Sequence, residues 1–89
     1  MIKKKIKIIN KLGLHARASS KLTQLACNFS SEIFLVLNKN KVNVKSIMEV
    51  LMLAASQNTI VLIEANGPDE KKAISEIEKL FNNFFGENE

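Results

Sequence analysis

The chain has 89 residues, 46% apolar and 25% charged. That is room for one small domain over residues 1–89, and too much apolar material for a disordered tract. Its net charge of +4 hides a split: residues 1–45 carry nine Lys, one Arg and one Glu (+9), and residues 46–89 carry three Lys, one Asp and seven Glu (−5), so an acidic or phosphorylated partner is expected at the front half. One cysteine, Cys27, and one histidine, His15, exclude an internal disulfide and a four-ligand zinc site, so no metal and no cofactor are expected, and a reducing cytoplasm fits.

The elements follow in chain order. Residues 2–9 alternate, with Ile2, Ile6 and Ile8 on one face and Lys3, Lys5 and Lys7 on the other, which predicts a half-buried strand. Residues 10–14 contain Gly13 and read as a loop. Ala18, Leu22, Leu25, Ala26 and Phe29 recur at helical spacing, predicting a helix that begins close to His15. Cys27 lies near that stripe and reads as a small packed residue. Ile33, Leu35 and Leu37 mark a second strand, Asn38, Lys39 and Asn40 a turn, and residues 41–44 a short third strand, together a hairpin. Ser46 and Glu49 fit a reciprocal capping box ahead of helix formers to about Ala55. Gln57 and Asn58 break that helix. Residues 59–65, β-branched and apolar, predict a fourth strand, and Asn66, Gly67 and Pro68 a turn. Pro68, Asp69 and Glu70 are helix-start chemistry. Ile74, Ile77, Phe81 and Phe84 follow at helical spacing, with Gly86 as the stop. Four of the five Phe read as core. The order strand, helix, strand, strand, short helix, strand, helix argues for an α+β fold with helices on one face of a mostly antiparallel four-stranded sheet. The longest apolar run, at 50–55, is far below the ~20 residues of a membrane span, so no direct membrane insertion is expected.

The one place with chemistry is His15, in Gly13-Leu14-His15-Ala16-Arg17-Ala18-Ser19-Ser20. The first turn of a helix has unpaired N–H groups and the positive end of the macrodipole. An anion carried on the His15 ring would be met by the backbone N–H groups of Ala16 and Arg17, and the Arg17 guanidinium can add a charge-assisted hydrogen bond. Small Ala16 and Ala18 leave the ring accessible. These are the parts of a transient phosphohistidine. Taken singly, the same residues also suit a histidine at a wet helix start and a solvated first-turn arginine.

Residues 8–17, Ile-Ile-Asn-Lys-Leu-Gly-Leu-His-Ala-Arg, resemble the active-site signature of the histidine-containing phosphocarrier (HPr) family of the bacterial phosphotransferase system. Residues 44–48, Val-Lys-Ser-Ile-Met, resemble its second signature, around a regulatory serine. Spacing, length and element order match over essentially the whole chain. The resemblance implies an open-faced β-sandwich of four antiparallel strands and three helices (βαββαβα). It implies that His15 accepts a phosphoryl group, through Nδ1, from phosphorylated enzyme I and passes it to IIA domains. The chain would then be a stoichiometric carrier and not an enzyme, with Arg17 stabilising the phosphoryl group. It further implies regulatory phosphorylation of Ser46 by an HPr kinase/phosphorylase, and partner docking by Ala18, Ser20, Lys21, Ile47, Met48 and Leu51. Two departures stand out: many members have Pro where this chain has Ala18, and Gly where it has Glu49, whose carboxylate would repel a phosphate on Ser46.

The helix after Ser46 has more apolar surface than one buried stripe needs. Ile47, Val50, Leu51 and Ala54 lie on one face and Met48 and Met52 on another, so one face is expected to be core and the other either core or a docking patch. Lys21 and Lys45, with Arg17, would steer acidic partners. Two other readings compete. A pI of 9.4 suits a nucleic-acid-binding module, against which stand the lack of Trp and Tyr and the acidic second half. A nitrogen-type regulatory phosphocarrier paralogue shares the His15 chemistry. The phosphocarrier reading expects no nucleic acid, and a monomer.

Overall fold

The computed structural model describes residues 1–87. Strand β1 (Ile2–Lys7) pairs antiparallel with β4 (Ile60–Asn66), Ile2 facing Ala65 and Lys7 facing Ile60. On its other side β4 pairs antiparallel with β2 (Glu32–Leu37), which forms the hairpin with β3 (Asn40–Asn43). The sheet order is β1-β4-β2-β3. Helices α1 (Ala16–Ala26), α2 (Ile47–Leu53) and α3 (Glu70–Asn82) cover one face, and the architecture is the expected α+β one. Under them lie Ile6, Ile8, Ile33, Leu35, Val61 and Ile63, all buried. The opposite face is open. Phe34 is half-buried there, with the Lys41 ammonium 4.5 Å from its ring centroid, and Glu64 is flanked by Lys41 at 3.1 Å and Lys3 at 4.0 Å.

Several elements depart from the sequence reading. β1 stops at Lys7, although Ile8 is still buried. β3 and β4 shift by one residue against 41–44 and 59–65. α2 ends at Leu53 because Ala54 turns left-handed (φ 53°) and sends its N–H to the Leu51 carbonyl, a helix stop made by a residue with no turn propensity. The capping box is half formed. Ser46 Oγ accepts from the Glu49 N–H at 3.4 Å, but the Glu49 carboxylate accepts from the Asn43 N–H at 3.0 Å, and the Ser46 N–H donates to the Asn43 carbonyl.

The C-terminal aromatics change phase. α3 ends at Asn82, and Phe84 and Phe85 have φ of 61° and 54° in a 3-10 turn (Phe84–Gly86). The helical spacing therefore lapses. Phe85, not Phe84, is fully buried, its ring centroid 4.8 Å from that of Phe81, and Gly86 closes this turn instead of α3. Three Phe are buried (Phe29, Phe81 and Phe85) and two half-buried, not four in the core. Cys27 is exposed: it caps α1 one residue beyond the last buried turn, so its side chain leaves the stripe.

Asp69 is the N-cap of α3, yet its side chain makes no cap bond. Its carboxylate instead accepts from the Ser31 hydroxyl at 2.5 Å and from the N–H groups of Ser30 and Ser31 at 2.9 and 3.0 Å, tying α3 to the start of β2. The Ser31 hydroxyl first, and then the Ser30 N–H, hold the Asp69 carboxyl below its ordinary value against the effect of burial. A lowered value means that the unfolded chain binds more protons in that window, so stability rises with pH through it. Asp69→Asn should therefore melt below the wild type at pH 7. The gap should close as the pH falls from about 4, where the unfolded carboxyl begins to take up its proton, through the lower value of the folded one. Melting curves at pH 7, 4 and 2.5 check this, and a gap of constant size would remove Asp69 from the pH dependence.

Candidate functional site

The loop before α1 is fixed by the turn that follows α2. The Leu14 N–H donates to the Ala55 carbonyl at 2.9 Å, and the Asn58 N–H to the Ile8 carbonyl at 2.7 Å. Within the loop the Gly13 N–H donates to the Asn10 carbonyl, and Asn10 Nδ2 to the Gly13 carbonyl at 2.8 Å. Ser19 Oγ, buried in α1, donates back to the Leu14 carbonyl at 3.1 Å. His15 thus stands on a braced segment.

His15 is the N-cap of α1, in extended backbone (φ −77°, ψ −179°), and its side chain makes no cap bond. Its ring is therefore not spent on capping the helix. The first helical bond runs from the Ser19 N–H to the His15 carbonyl at 2.8 Å, which leaves the N–H groups of Ala16, Arg17 and Ala18 without an acceptor inside the helix. Ala16 and Arg17 are exposed and the ring half-buried. Arg17 forms no ion pair with a carboxylate among the described residues. The site therefore brings together a nucleophilic ring, uncommitted first-turn donors and an uncommitted guanidinium, a set suited to holding a tetrahedral oxyanion on the ring.

Two residues at this site were not foreseen. The Glu87 carboxylate contacts His15 Nε2 through Oε2, and its Oε1 accepts from Asn10 Nδ2 at 3.1 Å. Burial alone would raise the Glu87 carboxyl. The hydrogen bonds from His15 and Asn10, with the nearby charges of His15 and Lys21, outweigh it and hold the group below the ordinary carboxylate value. No sequence pattern joins residues 10, 15 and 87; the contact exists because the turn after α3 folds back over the start of α1.

The docking expectations fare unevenly. Ala18 is fully buried under α1 and presents no surface. Ser20 and Lys21 are half-buried, and the Lys21 ammonium donates to the Phe85 carbonyl at 2.6 Å. Lys45 likewise donates to the Phe29 carbonyl at 2.7 Å. Both lysines tie down chain turns as well as carrying charge. In α2 the core side is Val50 and Leu53, not the Ile47, Val50, Leu51 and Ala54 stripe. Met48 and Met52 are 67% and 78% exposed and Ile47 38%, while Leu51 is half-buried. The turn after α2 leads to the buried Ala55, whose carbonyl accepts from the Leu14 N–H next to His15. Ser46 is half-buried at the other end of α2.

Among the described residues there is no cluster of three or more His, Cys, Asp or Glu able to hold a metal, and no helix is long and apolar enough to cross a membrane. The family profile described as "PTS HPr component phosphorylation site" matches residues 2–83. The phosphocarrier protein HPr of Neisseria meningitidis is 51% identical over all of both chains, and that of Cupriavidus necator 52% over all of both. The crystal structure of HPr from Thermoanaerobacter tengcongensis superposes with a TM-score of 0.96 at 42% identity, each chain fully covered.

Proposed function

Since this chain belongs to the HPr family and is a phosphocarrier of the phosphotransferase system, we propose that His15 is the phosphoryl acceptor, loaded by phosphorylated enzyme I and discharged to IIA domains. The observation that carries this reading is the pairing of a His15 ring not spent on capping with the first-turn N–H groups and an Arg17 that has no carboxylate partner among the described residues. The ring supplies the attacking nitrogen. The donors of Ala16 and Arg17 and the guanidinium meet the charge of the transferred group. One copy supplies all of these parts, so the carrier acts as a monomer in the cytoplasm, without a metal or cofactor of its own. The exposed Ile47 and Met48, with Leu51, form the docking patch, and methionine lets it fit more than one partner. The test uses phosphoenolpyruvate and enzyme I. One phosphoryl group should appear on the chain, acid-labile and alkali-stable as a phosphohistidine is, and should disappear on adding a IIA domain.

Ser46 is the regulatory serine in this reading, phosphorylated by an HPr kinase/phosphorylase. Glu49 already places a carboxylate at the start of α2, on the Asn43 N–H. A phosphate on Ser46 would add about −1.5 to −2 charges beside it. Repulsion of about 1 kcal/mol between exposed groups corresponds to about fivefold in rate. Incubated with the kinase and ATP, Glu49→Gly should therefore gain serine phosphate about five times faster than the wild type. Equal rates would acquit Glu49, and label on Ser46→Ala would place the phosphate elsewhere.

A further inference from the structure

The sheet face that the helices leave open carries a pattern that the His15 chemistry does not use. Strand alternation turns Ile6, Ile33, Leu35, Val61 and Ile63 under the helices, and so turns Lys3, Lys5 and Lys7 the other way. Lys4, on the helix side of β1, reaches Glu78 of α3 at 2.8 Å, as that parity requires. The strand register then sets rows across the open face. One runs Lys3, Glu64, Phe34, Asn43, and the next Lys5, Leu62, Val36, Lys41. A third begins with Lys7 and Ile60. Lysine thus stands on both margins of the face, about 14 Å apart, with aliphatic side chains between.

Phe34, Val36 and Leu62 are half-buried, and Ile60 is 58% exposed. Apolar side chains therefore meet solvent side by side within a lysine border. Lys5 and Lys7 are exposed and have no carboxylate partner among the described residues. Lys3 and Lys41 share one acid, Glu64, at 4.0 and 3.1 Å, so that trio keeps one positive charge. Glu32 lies at the far end of the face, opposite Asn66. The end that holds Lys5, Lys7, Ile60 and Leu62 is cationic and apolar.

This chemistry selects among occupants. A second copy laid face to face would set lysine rows against lysine rows. A nucleic acid needs open aromatic faces for its bases, and Phe34 has the Lys41 ammonium over its ring at 4.5 Å. A particular protein epitope is matched by directional polar groups, whereas this end offers ammonium groups and aliphatic carbon. Anionic lipid asks for that and no more. Headgroup phosphates meet the lysines at the margin, the lysine stems lie along the apolar strip, and the strip enters the interfacial layer. We propose that this end of the open sheet face is a peripheral docking surface for an anionic lipid leaflet. The chain adsorbs there without any segment crossing the bilayer. The helices cover the other face, so His15 and the exposed side of α2 stay open to partners while the sheet is docked.

Sedimentation with vesicles of mixed phosphatidylglycerol and phosphatidylcholine, against vesicles of phosphatidylcholine alone, tests this. The wild type should bind the anionic vesicles, more weakly as salt is raised, and leave the neutral ones. A lysine near an anionic leaflet is worth about fivefold in affinity, so the double variant Lys5→Gln, Lys7→Gln should bind about 25-fold more weakly. The control Lys71→Gln, Lys72→Gln removes the same charge from exposed positions on α3 and should bind as the wild type does. Ile60→Thr keeps a β-branched residue in the strand and changes no charge, and it should weaken binding several-fold. Melting curves show whether each variant folds, and the control pair and Ile60→Thr decide the matter if the first pair does not. Equal losses in the two lysine pairs would mean attraction by net charge alone and overturn the proposal. Binding to neutral vesicles as tight as to anionic ones overturns it too, as does an unchanged affinity in Ile60→Thr. No binding to anionic vesicles at low salt also overturns it, and the lysines then serve only to keep the sheet edges from pairing with other strands. If polyglutamate or RNA is held through Lys5 and Lys7 while vesicles are not, the face takes a protein or a nucleic acid and the lipid assignment falls.

Discussion

A His15→Ala protein will take no phosphoryl group from phosphoenolpyruvate and enzyme I, while folding as the wild type does. The two halves of this expectation have separate grounds. His15 is the chain's one histidine, so no second imidazole can stand in, and removing the attacking atom of a group transfer costs on the order of 10⁴-fold or more in rate. The fold loses little. The His15 side chain makes no bond to the helix that it caps, so an alanine there forfeits none of the usual capping energy, and its contact with Glu87 is one half-buried pair, worth about 1 kcal/mol or less. Intact-mass measurement should show the added phosphoryl group on the wild type alone, with melting temperatures within a few degrees of each other. Acid-labile label on the variant would defeat the assignment outright. A variant that fails to fold would show that the ring braces the loop, contrary to the capping geometry.

The parts of the molecule that were legible in the sequence are those set by local periodicity. Lys and Ile alternating over residues 2–8 could form only a half-buried strand, and the helical recurrence from Ala18 to Phe29 turned one face of α1 inward, with Ser19 and Thr23 buried beside it through bonds to the carbonyls of Leu14 and Val44. The candidate site was legible for the same reason: ring, small neighbours and guanidinium lie within residues 15–18 at one helix start. What escaped was decided by tertiary packing. Ala54 ends α2 in a left-handed turn that its side chain does not favour, because Ala55 must turn inward and present its carbonyl to Leu14. Phe85 displaces Phe84 from the core because α3 stops two residues before it. Lys21 and Lys45 read as a free steering ring, yet each ammonium also closes a turn on a backbone carbonyl. Glu87 lies 72 residues from His15, and no period or motif connects positions that far apart. The charge split survives in modified form: the basic half does hold the His15 ring, but a carboxylate from the acidic half sits against it.

Gly13→Ala should be strongly damaging, because it attacks the brace under His15 twice. Gly13 has φ of +64°, where a side chain costs about 1–2 kcal/mol. A Cβ there would also stand 2.5 Å from the Ala55 carbonyl oxygen and 2.9 Å from Ser56 Cα. Both are backbone atoms, which cannot swing aside as a side chain does. The Ala55 oxygen is the acceptor that holds Leu14, and Leu14 is buried, so relieving the clash breaks a buried hydrogen bond and adds about 1–3 kcal/mol. A total of about 3 kcal/mol, at about 4–8 °C per kcal/mol for a domain of this size, lowers the melting temperature by roughly 12–24 °C. His15 follows Leu14 directly. A displacement of about 1 Å in a reacting group costs on the order of 10²-fold in rate, so transfer measured below the new melting point should fall by about that factor. Gly86→Ala separates the two causes. Gly86 is also left-handed, at φ +77°, but its Cβ would meet only the Lys21 ammonium, at 2.9 Å, the far end of a flexible side chain. It should carry the backbone strain with little of the clash, and lose roughly half as much stability or less. If both alanines cost the same, left-handed strain alone accounts for Gly13, and the Ala55 carbonyl is not what holds the loop before His15 in place.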